Sequence, residues 1–465
     1  MTASAALRRL AEPFAALACL LTLLAGCAQL PIIPDLAPTQ GDTLIQVRGA
    51  RGQLSQRETA NLLKRLEAEV PDASALQRHL AIEQTVSGSA LYTGNRVSIL
   101  RDGPQTFAAM FAAIHGAQHF LYLEYYIFED VSFDGEQLGD LLLQRQAQGV
   151  QINIVYDSVG SLGTPGAFFD RLQAAGIRLR QFNPINPFTR HFALNARDHR
   201  KLLVADGRLA IIGGVNLSTD YQSSGPSETQ GAHAHQEPWH DTDLQIEGPA
   251  VSELERLFEQ HWLQQGGVAA ELRSGEPAPS ATGNEVVRVI GSEGGRLRPR
   301  YYGTLLSAVR SATARIWVNA AYFVPTHAEK IALEHAAERG VDVRLLLPSH
   351  SDSPAALAVG QSRYSDLLGA GVKIYERADG ILHSKTVVMD GVWSIIGSSN
   401  FDHRSVLFND ELDAVIIGTH TGAQLESYFD QDLQHAAAVD LAQWRRRPLT
   451  RKLREQFWRL WEQLL

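Results

Sequence analysis

Two short stretches of the sequence carry the same reactive side chains at the same spacing. The first contains His199-Arg200-Lys201, Asp206 and Gly213-Gly214-Val215-Asn216, and the second contains His383-Ser384-Lys385, Asp390 and Gly397-Ser398-Ser399-Asn400. Each position of the first stretch recurs 184 residues later, since 383 minus 199 is 184. A lone His-x-Lys pair is a weak signal, but a matched series of positions indicates a duplicated functional motif.

The residue types in this motif suit chemistry at a phosphate. On a strand the side chains of His199 and Lys201 lie on one face, because successive residues alternate. A histidine can attack phosphorus or exchange a proton near neutral pH, and a lysine offers a point charge to a phosphate oxygen. Asn216 and Asn400 add amide donors, and the small residues before them allow close approach of the backbone. Two facing motifs predict one phosphate pocket, in which one imidazole is the nucleophile and the other protonates the departing oxygen.

The motif also contains an aspartate in each copy. Asp206 and Asp390 each follow their histidine by 7 residues. That separation along the chain puts them out of easy reach of the same pocket, so we predict a structural role for both.

Strands and helices alternate from about residue 96. The pattern predicts a strand over 120–128, a helix over 136–148, a strand over 150–156, a helix over 167–175 and a strand over 177–182. The same order recurs in the second half, where 315–324, 340–344 and 370–373 match 120–128, 149–153 and 175–178. The sequence therefore predicts an α/β protein of two pseudo-symmetric lobes, each a mixed β-sheet flanked by helices, with the active site between them.

These patterns divide the chain into five segments. Residues 1–27 are predicted to be an export signal, and 28–95 a tether followed by a helical segment in which Ser55 and Glu58 form a capping box. Residues 96–263 and 285–465 are the two predicted lobes. The Gly-, Ala-, Ser- and Pro-rich stretch 264–284 is the predicted linker between them.

The first segment resembles a bacterial lipoprotein signal. Arg8 and Arg9 precede an apolar run over 14–24, which is short for a bilayer span and ends in Leu24-Ala25-Gly26-Cys27. This pattern predicts cleavage before Cys27 and lipidation of its thiol, which would hold the protein on the inner or the outer membrane of the bacterial envelope. The alternative is a signal anchor in which Cys27 has no role. We expect no other membrane-spanning stretch.

The charge balance argues against nucleic acid as a partner. The formal net charge is −9, whereas nucleic-acid-binding proteins present a basic surface. A small basic pocket around a single phosphate remains compatible with this charge. His233, His235 and His240 lie in a polar stretch without ordered ligand spacing, so we predict an exposed loop there rather than a metal site.

The duplicated motif resembles the His-Lys-Asp signature of the phospholipase D superfamily. From about residue 97 to 464 the chain is most similar to bacterial cardiolipin synthases. The matching stretches are Leu123-Glu124-Tyr125-Tyr126-Ile127-Phe128, Asp157-Ser158-Val159-Gly160-Ser161, Glu247-Gly248-Pro249-Ala250-Val251, Ala321-Tyr322-Phe323-Val324-Pro325 and Leu382-His383-Ser384-Lys385-Thr386-Val387-Val388. The resemblance implies a reaction on phospholipids at a membrane surface, without metal or other cofactor. A phosphatidyl group is held on one histidine, and an alcohol of a second lipid releases it. In the bacterial synthases both lipids are commonly phosphatidylglycerol.

The resemblance also implies roles for individual residues. His199 is expected to be the nucleophile and His383 the acid and base, and the pseudo-symmetry allows the reverse. Family members orient each imidazole with a downstream carboxylate, by position Asp241 or its rival Asp243 in the first lobe and Glu411 in the second. The rest of the expected catalytic set is Lys201, Lys385, Asn216 and Asn400.

Two further carboxylates have two open interpretations. Glu124 and Asp157 either bind substrate at the wall of the site or are solvated groups at strand ends. One departure from the family pattern is His403 in Asp402-His403-Arg404-Ser405, where proline is expected, and we predict that it affects only a turn.

Three other functions remain compatible with the sequence. Water could replace the acceptor alcohol, which would make the protein a phospholipase D hydrolase with the same covalent step. A nuclease is the second alternative, and the acidic charge weighs against it. The third is an inactive envelope lipoprotein that uses the fold as a scaffold, which the two intact motifs disfavour.

Two segments outside the motifs have two interpretations each. The stretch 183–192 has no counterpart of similar length in the second half, and is either a lipid entrance or an ordinary loop. The stretch 444–465 combines basic, aromatic and aliphatic residues in an amphipathic helix. Such a helix either lies on an anionic membrane or packs its apolar face on the protein, and we favour packing.

Overall fold

The computed structural model of the protein describes residues 45–69, 73–184, 195–222, 237–273, 280–295 and 300–465. The predicted signal with Cys27 lies outside these ranges, as do His233, His235 and most of the stretch 183–192. The interpretations of those residues therefore stay predictions.

The first half of the chain supplies a main sheet, short strands outside it and flanking helices. Its strands are β1 (Val47–Gly49), β2 (Gly52–Gln53), β3 (Leu91–Arg101), β4 (Phe120–Tyr125), β5 (Ser132–Phe133), β6 (Glu136–Gln137), β7 (Gln151–Asp157), β8 (Arg178–Phe182), β9 (Arg197–Asp198), β10 (Lys201–Ala205), β11 (Leu209–Gly213), β12 (Trp239–His240) and β13 (Thr242–Glu247). Its α-helices are α1 (Gln56–Ala68), α2 (Ala73–Ser87), α3 (Asp102–Gly116), α4 (Leu138–Ala147), α5 (Gly166–Ala174) and α6 (Val251–Gln264).

The second half repeats this arrangement. Its strands are β14 (Glu285–Ser292), β15 (Arg315–Ala320), β16 (Asp342–Pro348), β17 (Lys373–Arg377), β18 (Ile381–Leu382), β19 (Lys385–Met389), β20 (Trp393–Gly397), β21 (Asn409–Ile417) and β22 (Ala436–Ala438). Its α-helices are α7 (Arg300–Ser311), α8 (His327–Glu338), α9 (Pro354–Gly369), α10 (His403–Leu407), α11 (Thr419–Leu433), α12 (Leu441–Arg445) and α13 (Leu449–Arg459). Short 3₁₀ turns cover Thr219–Tyr221, Ala269–Glu271 and Glu462–Leu464.

The two sheets have the same topology. In the first lobe the neighbours run β13-β11-β10-β4-β7-β8, antiparallel except for the parallel pairs β4–β7 and β7–β8. In the second they run β21-β20-β19-β15-β16-β17, again with only the last two pairs parallel. The predicted α/β class with two similar lobes of mixed sheet and flanking helices is confirmed.

Strand β3 joins the two sheets. Its residues 96–101 pair with β13 of the first lobe, and its residues 91–95 pair with β14 of the second. One hydrophobic cluster is shared by both lobes and includes Leu244, Ile246, Phe258, Val289, Ile396 and Leu412. Because this apolar surface is buried between the lobes, its burial stabilises their mutual orientation.

The aspartates of the two motifs hold equivalent turns. Asp206 and Asp390 have positive φ values of 51° and 52°, a region that aspartate tolerates better than most residues. The Asp206 carboxylate accepts three backbone N–H bonds from 118–120, at the start of β4. The Asp390 carboxylate accepts the equivalent bonds from 313–315, at the start of β15. These contacts agree with the predicted structural role.

The segments around the lobes are packed against them. Ser55 and Glu58 form the predicted capping box at the start of α1. The backbone carbonyl of Glu271, within the predicted linker, accepts bonds from the side chains of Gln151 and Asn153 in β7. In the described ranges, every helix is either too short or too polar to cross a lipid bilayer.

Candidate active site between the lobes

Each histidine lies where a short strand of its own lobe pairs with the other lobe. Strand β9, directly before His199, pairs with the start of β21, and the His199 backbone N–H donates to the Asp410 carbonyl at 2.9 Å. Strand β18, directly before His383, pairs with β12, and the His383 N–H donates to the His240 carbonyl at 2.7 Å. The two crossings bring both motifs to one region between the lobes.

One cavity of about 300 Å³ lies at this crossing and contains both histidines. His199 and Asn216 reach it from the first lobe, and His383 and Asn400 reach it from the second. Aromatic residues form much of the remaining wall, namely Tyr126, Tyr221, Trp239 and Tyr322. The expected pocket also included the ammonium groups of Lys201 and Lys385. The two imidazoles and the two amides line this cavity, whereas the two lysines do not.

His199 is oriented by a carboxylate of the second lobe. Its Nδ1 lies 3.0 Å from Glu411 Oε2, and its side chain is 12% exposed. Burial lowers the pKa of His199, and Glu411 opposes that shift. Burial would raise the pKa of Glu411, but His199 and Lys201 outweigh it and hold the pKa at about 2. Glu411 is thus a fixed anion that orients the ring through Nδ1 and leaves Nε2 of His199 as the other ring nitrogen.

Hydrogen-bond donors surround this carboxylate. Ser398 Oγ donates to Oε2 of Glu411 at 2.5 Å, and Ser405 Oγ donates to Oε1 at 2.8 Å. Asn409 Nδ2 donates to Oε1 at 3.2 Å. These donors fix the position of the carboxylate and thereby the plane of the His199 ring.

His383 is oriented by a carboxylate of the first lobe. Its Nδ1 lies 2.6 Å from Asp241 Oδ2, and its side chain is 6% exposed. Lys385 Nζ and the Tyr221 hydroxyl also lie close to Nδ1, at 2.8 and 3.0 Å. Burial lowers the pKa of His383, and Lys385 lowers it further. The rings of Trp239 and Tyr221 pack around the imidazole, which is less exposed than that of His199.

These contacts correct the expected pairing within lobes. Neither Asp241 nor Asp243 bonds to His199, because the carboxylates are exchanged between the lobes. Glu411 directly follows the residues of β21 that pair with β9, and Asp241 directly follows β12, which pairs with β18. Proximity along the chain suggested the wrong partner. The strand pairing between the lobes places each carboxylate beside the histidine of the other lobe.

The lysines lie behind the histidines. Lys201 Nζ donates to the His199 carbonyl at 2.7 Å, and Lys385 Nζ donates to the His383 carbonyl. Burial lowers the pKa of Lys201 to about 7, and it also lowers the pKa of Lys385. Both lysines are buried beside the cavity wall, so their position suits electrostatic support of the site more than a surface contact.

Small residues before the asparagines allow close approach, as predicted. A Cβ on Gly214 would lie 2.1 Å from Asp241 Oδ1, so glycine is required beside that carboxylate. Asn216 Oδ1 accepts from the Ile127 N–H at 3.2 Å, which fixes its amide. Asn400 also reaches the cavity, and its N–H donates to Ser405 Oγ at 3.1 Å.

Asp243 and Asp413 brace the two asparagine loops. The Asp243 carboxyl accepts from the Val215 N–H at 3.0 Å, and Asp413 accepts from the Ser399 hydroxyl at 2.6 Å. Burial raises the pKa of each to about 8, with Asp241 adding to the shift at Asp243 and Glu411 adding to it at Asp413. The alternative of Asp243 as an orienting carboxylate is therefore wrong, and both groups are structural.

Glu124 and Asp157 neither line the cavity nor face solvent, so the structure contradicts both open interpretations of these carboxylates. Glu124 is fully buried, 2.7 Å from His261 Nδ1 and 3.2 Å from Arg200 Nη1. Asp157 is also fully buried and accepts from the Asp198 N–H at 2.9 Å. Both carboxylates have buried ionic or hydrogen-bonded partners, as burial of a charge requires. These are Arg200 and His261 for Glu124, and Arg197 and the Asp198 N–H for Asp157.

This buried network has one grouping with ligand-like atoms. Oxygen and nitrogen atoms of Glu124, Asp198 and His261 lie within 4.8 Å of one another. The guanidinium of Arg200 already supplies the positive charge beside Glu124. The network is thus compensated by a side chain of the protein and supports the backbone that carries His199.

Several residues of the cavity wall carried no clear signal in the sequence. Arg197 and Arg404 present cationic groups in the cavity wall, which suits a phosphate diester. The alternation that placed Lys201 beside His199 also applies to Arg197, but the second copy has Ile381 there, so repetition did not indicate it. Arg404 lies in α10, where His403 is buried and Asp402 caps the helix by accepting from the Ser405 N–H at 2.8 Å.

Comparison with known proteins identifies the family. The family model described as cardiolipin synthase, phospholipase D-like domain, matches residues 110–262 and 305–433. The chain belongs to this family. A cardiolipin synthase of Geobacillus thermodenitrificans is 36% identical over 379 residues, which cover 80% of this chain and 72% of that protein. Cardiolipin synthase A of Pseudomonas entomophila is 33% identical over 347 residues, with 74% and 70% of the two chains covered. The expected resemblance is confirmed.

A solved structure confirms the fold independently. Phosphatidylserine synthase of Haemophilus influenzae Rd KW20 superposes with a TM-score of 0.63, covering 83% of this chain and 100% of that one. The two sequences are 13% identical, so this likeness concerns the fold alone.

Proposed function

We propose that the protein is a cardiolipin synthase that transfers a phosphatidyl group between two phosphatidylglycerol molecules. The observation that carries the proposal is the pair of imidazoles in one cavity, each with a carboxylate on its Nδ1. That arrangement supplies one nucleophile and one acid–base group for a double displacement at phosphorus. The relatives from Geobacillus and Pseudomonas carry the same activity in their names.

In the first step His199 Nε2 attacks the phosphorus of one phosphatidylglycerol. A P–N bond forms, the P–O bond to the glycerol headgroup breaks, and His383 donates a proton to the departing oxygen. The covalent intermediate is a phosphatidyl-histidine whose remaining Nδ1–H donates to Glu411. Arg197 and Arg404 in the wall, with Lys201 and Lys385 behind it, offset the charge of the phosphate.

In the second step the reaction runs the other way with a new alcohol. A headgroup hydroxyl of the second phosphatidylglycerol gives its proton to His383 and attacks phosphorus, and the P–N bond to His199 breaks. The sum is two phosphatidylglycerols converted to one cardiolipin and one glycerol. His383 ends the cycle in its starting protonation state, as a group that acts first as acid and then as base must.

Incubation with phosphatidylglycerol vesicles tests this proposal. We expect cardiolipin and glycerol in equal amounts, with little phosphatidic acid. Phosphatidic acid without cardiolipin would show that water is the acceptor and that the protein is a hydrolase. Cleavage of plain DNA, abolished in His199→Ala, would support the nuclease alternative instead.

We infer that the reaction needs no metal, because the phosphate is neutralised by side chains of the protein. Activity after dialysis against EDTA should equal that before it. The midpoint of thermal unfolding should also be the same before and after dialysis. A lower midpoint after dialysis would indicate a structural ion at Glu124, Asp198 and His261. A loss that a divalent ion restores would contradict the metal-free mechanism.

We also propose that Cys27 is lipidated and holds the enzyme at a membrane of the bacterial envelope. Cells fed a labelled fatty acid should incorporate the label into the full-length protein and lose it in Cys27→Ser. Fractionation of the labelled protein would assign the inner or the outer membrane. Absence of label from the parent protein would support the signal anchor.

A further inference from the structure

An apolar stripe is exposed along the C-terminal helix α13. Leu449, Leu453, Phe457 and Leu460 are 75%, 68%, 56% and 77% exposed. At 3.6 residues per turn these positions fall within about one quarter of the helix circumference. The expectation that the apolar face of this helix packs on the protein is therefore wrong for this stripe.

The opposite side of the helix holds it in place. Glu455 is buried and accepts from Arg447 Nε and Nη2 at 2.9 and 2.6 Å. Trp458 packs beside a small cluster that contains Val324 and Val359. The helix is thus fixed to the second lobe with its aliphatic stripe facing outward, which a merely structural helix does not require.

The segment is basic in an acidic protein. Residues 441–465 contain seven Lys and Arg against two Glu, a formal net of +5, whereas the whole chain carries −9. Both glutamates are occupied by arginines of the protein, Glu455 by Arg447 and Glu462 by Arg363. Arg446 and Arg454 are exposed, and Arg454 lies about one turn before Phe457 of the stripe. An apolar stripe flanked by cations is the pattern of a helix that lies in an anionic lipid surface.

The helix also leads to the cavity. Leu465 forms part of the cavity wall, and its carbonyl accepts from the Arg404 N–H at 3.2 Å. The cluster beneath Trp458 includes Ala356, which is another wall residue. The cavity volume of about 300 Å³ is at the lower end of ordinary ligand pockets, so it fits a headgroup and leaves the acyl chains outside.

We infer that helix α13 is a docking surface for an anionic phospholipid monolayer, into which it inserts Leu449, Leu453, Phe457 and Leu460. This inference rests on the proposed function in one respect, namely that the cavity works on lipid headgroups. Docking through α13 brings the cavity mouth to the lipid surface, so a headgroup enters while its acyl chains stay in the monolayer. The positive charge of the segment favours an anionic bilayer as the partner. A second copy of the chain carries the formal net charge of −9 on the whole protein but the same basic segment at this surface.

A site-specific fluorescent label tests the docking directly. In the full chain with Cys19→Ser and Cys27→Ser, a nitrobenzoxadiazole dye is attached at Phe457→Cys, and in a control at Leu263→Cys, an exposed leucine of α6. With vesicles of phosphatidylglycerol and phosphatidylcholine we expect the emission at 457 to rise and shift to the blue, and the emission at 263 to stay constant. The rise should weaken in phosphatidylcholine alone and in high salt. No change at 457 in either vesicle would overturn the inference.

A matched variant links docking to turnover. Leu453→Gln/Phe457→Gln/Leu460→Gln changes only exposed side chains, and Leu263→Gln/Val268→Gln is its control. We expect the triple variant to lose about tenfold or more of its activity on vesicle phosphatidylglycerol. Its activity on a monomeric short-chain phosphatidylglycerol should equal that of the parent. Equal losses on both substrates would overturn the inference.

Two outcomes distinguish lipid docking from a dimer contact and from a failure of the proposed function. If the triple variant converts a dimer to a monomer and leaves the vesicle signal unchanged, a second copy covers the stripe and the inference fails. If the label at 457 responds to vesicles but the parent makes no cardiolipin from either substrate, the docking surface stands and the proposed function fails.

Discussion

The two histidine sites have the same plan and different surroundings. At His199 the carboxylate is braced by Ser398, Ser405 and Asn409, and the ring is the more exposed of the two. At His383 the carboxylate partner Asp241 shares the Nδ1 side of the ring with Lys385 and Tyr221, and aromatic rings cover the site. Pseudo-symmetry thus gives two imidazoles, and their local contacts distinguish them.

This difference supports our proposed assignment of the two steps. A braced anion on Nδ1 of His199 stabilises the positive charge of a phosphatidyl-histidine, as in other oriented-histidine sites. Burial and a neighbouring lysine lower the pKa of both rings, so the pKa shifts do not separate the two histidines. The braced carboxylate is therefore the observation that supports our proposal of His199 as nucleophile and His383 as acid and base. Four measurements test this assignment and the contacts behind it.

The largest effect is expected from the histidines themselves. His199→Ala and His383→Ala should each lower kcat for cardiolipin formation by about 10³-fold or more. With a lipid phosphodiester that releases p-nitrophenolate, which departs without a proton, His383→Ala should still form the covalent adduct and His199→Ala should not. Mass spectrometry of the quenched protein measures the adduct. An adduct on His383 in His199→Ala would reverse the roles.

The carboxylates should come next. Glu411→Gln and Asp241→Asn should each lower kcat by about 10²–10⁴-fold, since the tautomer and orientation of the facing ring are lost. The crossed pairing predicts which ring each variant affects. In ¹⁵N-histidine NMR, Glu411→Gln should change the Nδ1 signal of His199 and leave that of His383 in place, and Asp241→Asn should do the reverse. A change within the same lobe would contradict the crossing.

A smaller effect is expected in the pH dependence. His199 must be neutral to attack, and its pKa is lowered below the ordinary 6.5 by burial. The acid limb of the activity should therefore lie below pH 6.5, at that lowered pKa. Glu411 opposes the shift, so the residual activity of Glu411→Gln should have its acid limb at still lower pH. The pH profile of kcat/KM on a monomeric substrate measures the acid limb of the parent and that of Glu411→Gln. An acid limb above the ordinary histidine pKa of 6.5 would show that another group titrates.

The smallest effect is expected at Asp243 and Asp413. Each carboxyl has a pKa raised to about 8 in the folded state against an ordinary 3.8, so the folded protein holds more protons between these values. Stability contributed by the protonated forms is then lost as the pH rises toward about 8. Asp243→Asn and Asp413→Asn mimic the protonated groups and should change the free energy of unfolding near neutral pH by less than about 1 kcal/mol. Denaturant titrations at about pH 6 and about pH 9 measure this, and the variants should lose less stability than the parent over that interval.

The candidate residues of the cavity could largely be found from the sequence, because the evidence for them is local. The histidine, lysine and asparagine at positions 199, 201 and 216 recur at positions 383, 385 and 400. Strand periodicity alone puts each His-Lys pair on one face of its strand. The lobes follow from the same repetition. Arg197 and Arg404 were not predicted as residues of the cavity wall. Each has an arginine in only one copy of the repeat, so repetition did not indicate it.

The partners of buried charges could not be predicted in this way. Glu124 and Asp157 look like site residues in the sequence, yet Arg200, His261 and the N–H of Asp198 hold them inside the protein. A carboxylate in a strand has the same pattern whether it faces a cavity or a buried arginine. Only the packing of α6 and β9 around β4 and β7 distinguishes the two.

By itself the sequence determined the repeat, the residue types that react and the class of chemistry, because these depend on neighbours within a few residues. Tertiary structure alone decided which carboxylate serves which histidine. The pairing of β9 with β21 and of β12 with β18 brings together residues that lie 212 and 142 positions apart. No periodicity along the chain encodes that exchange, since it depends on how two lobes that share β3 close on each other.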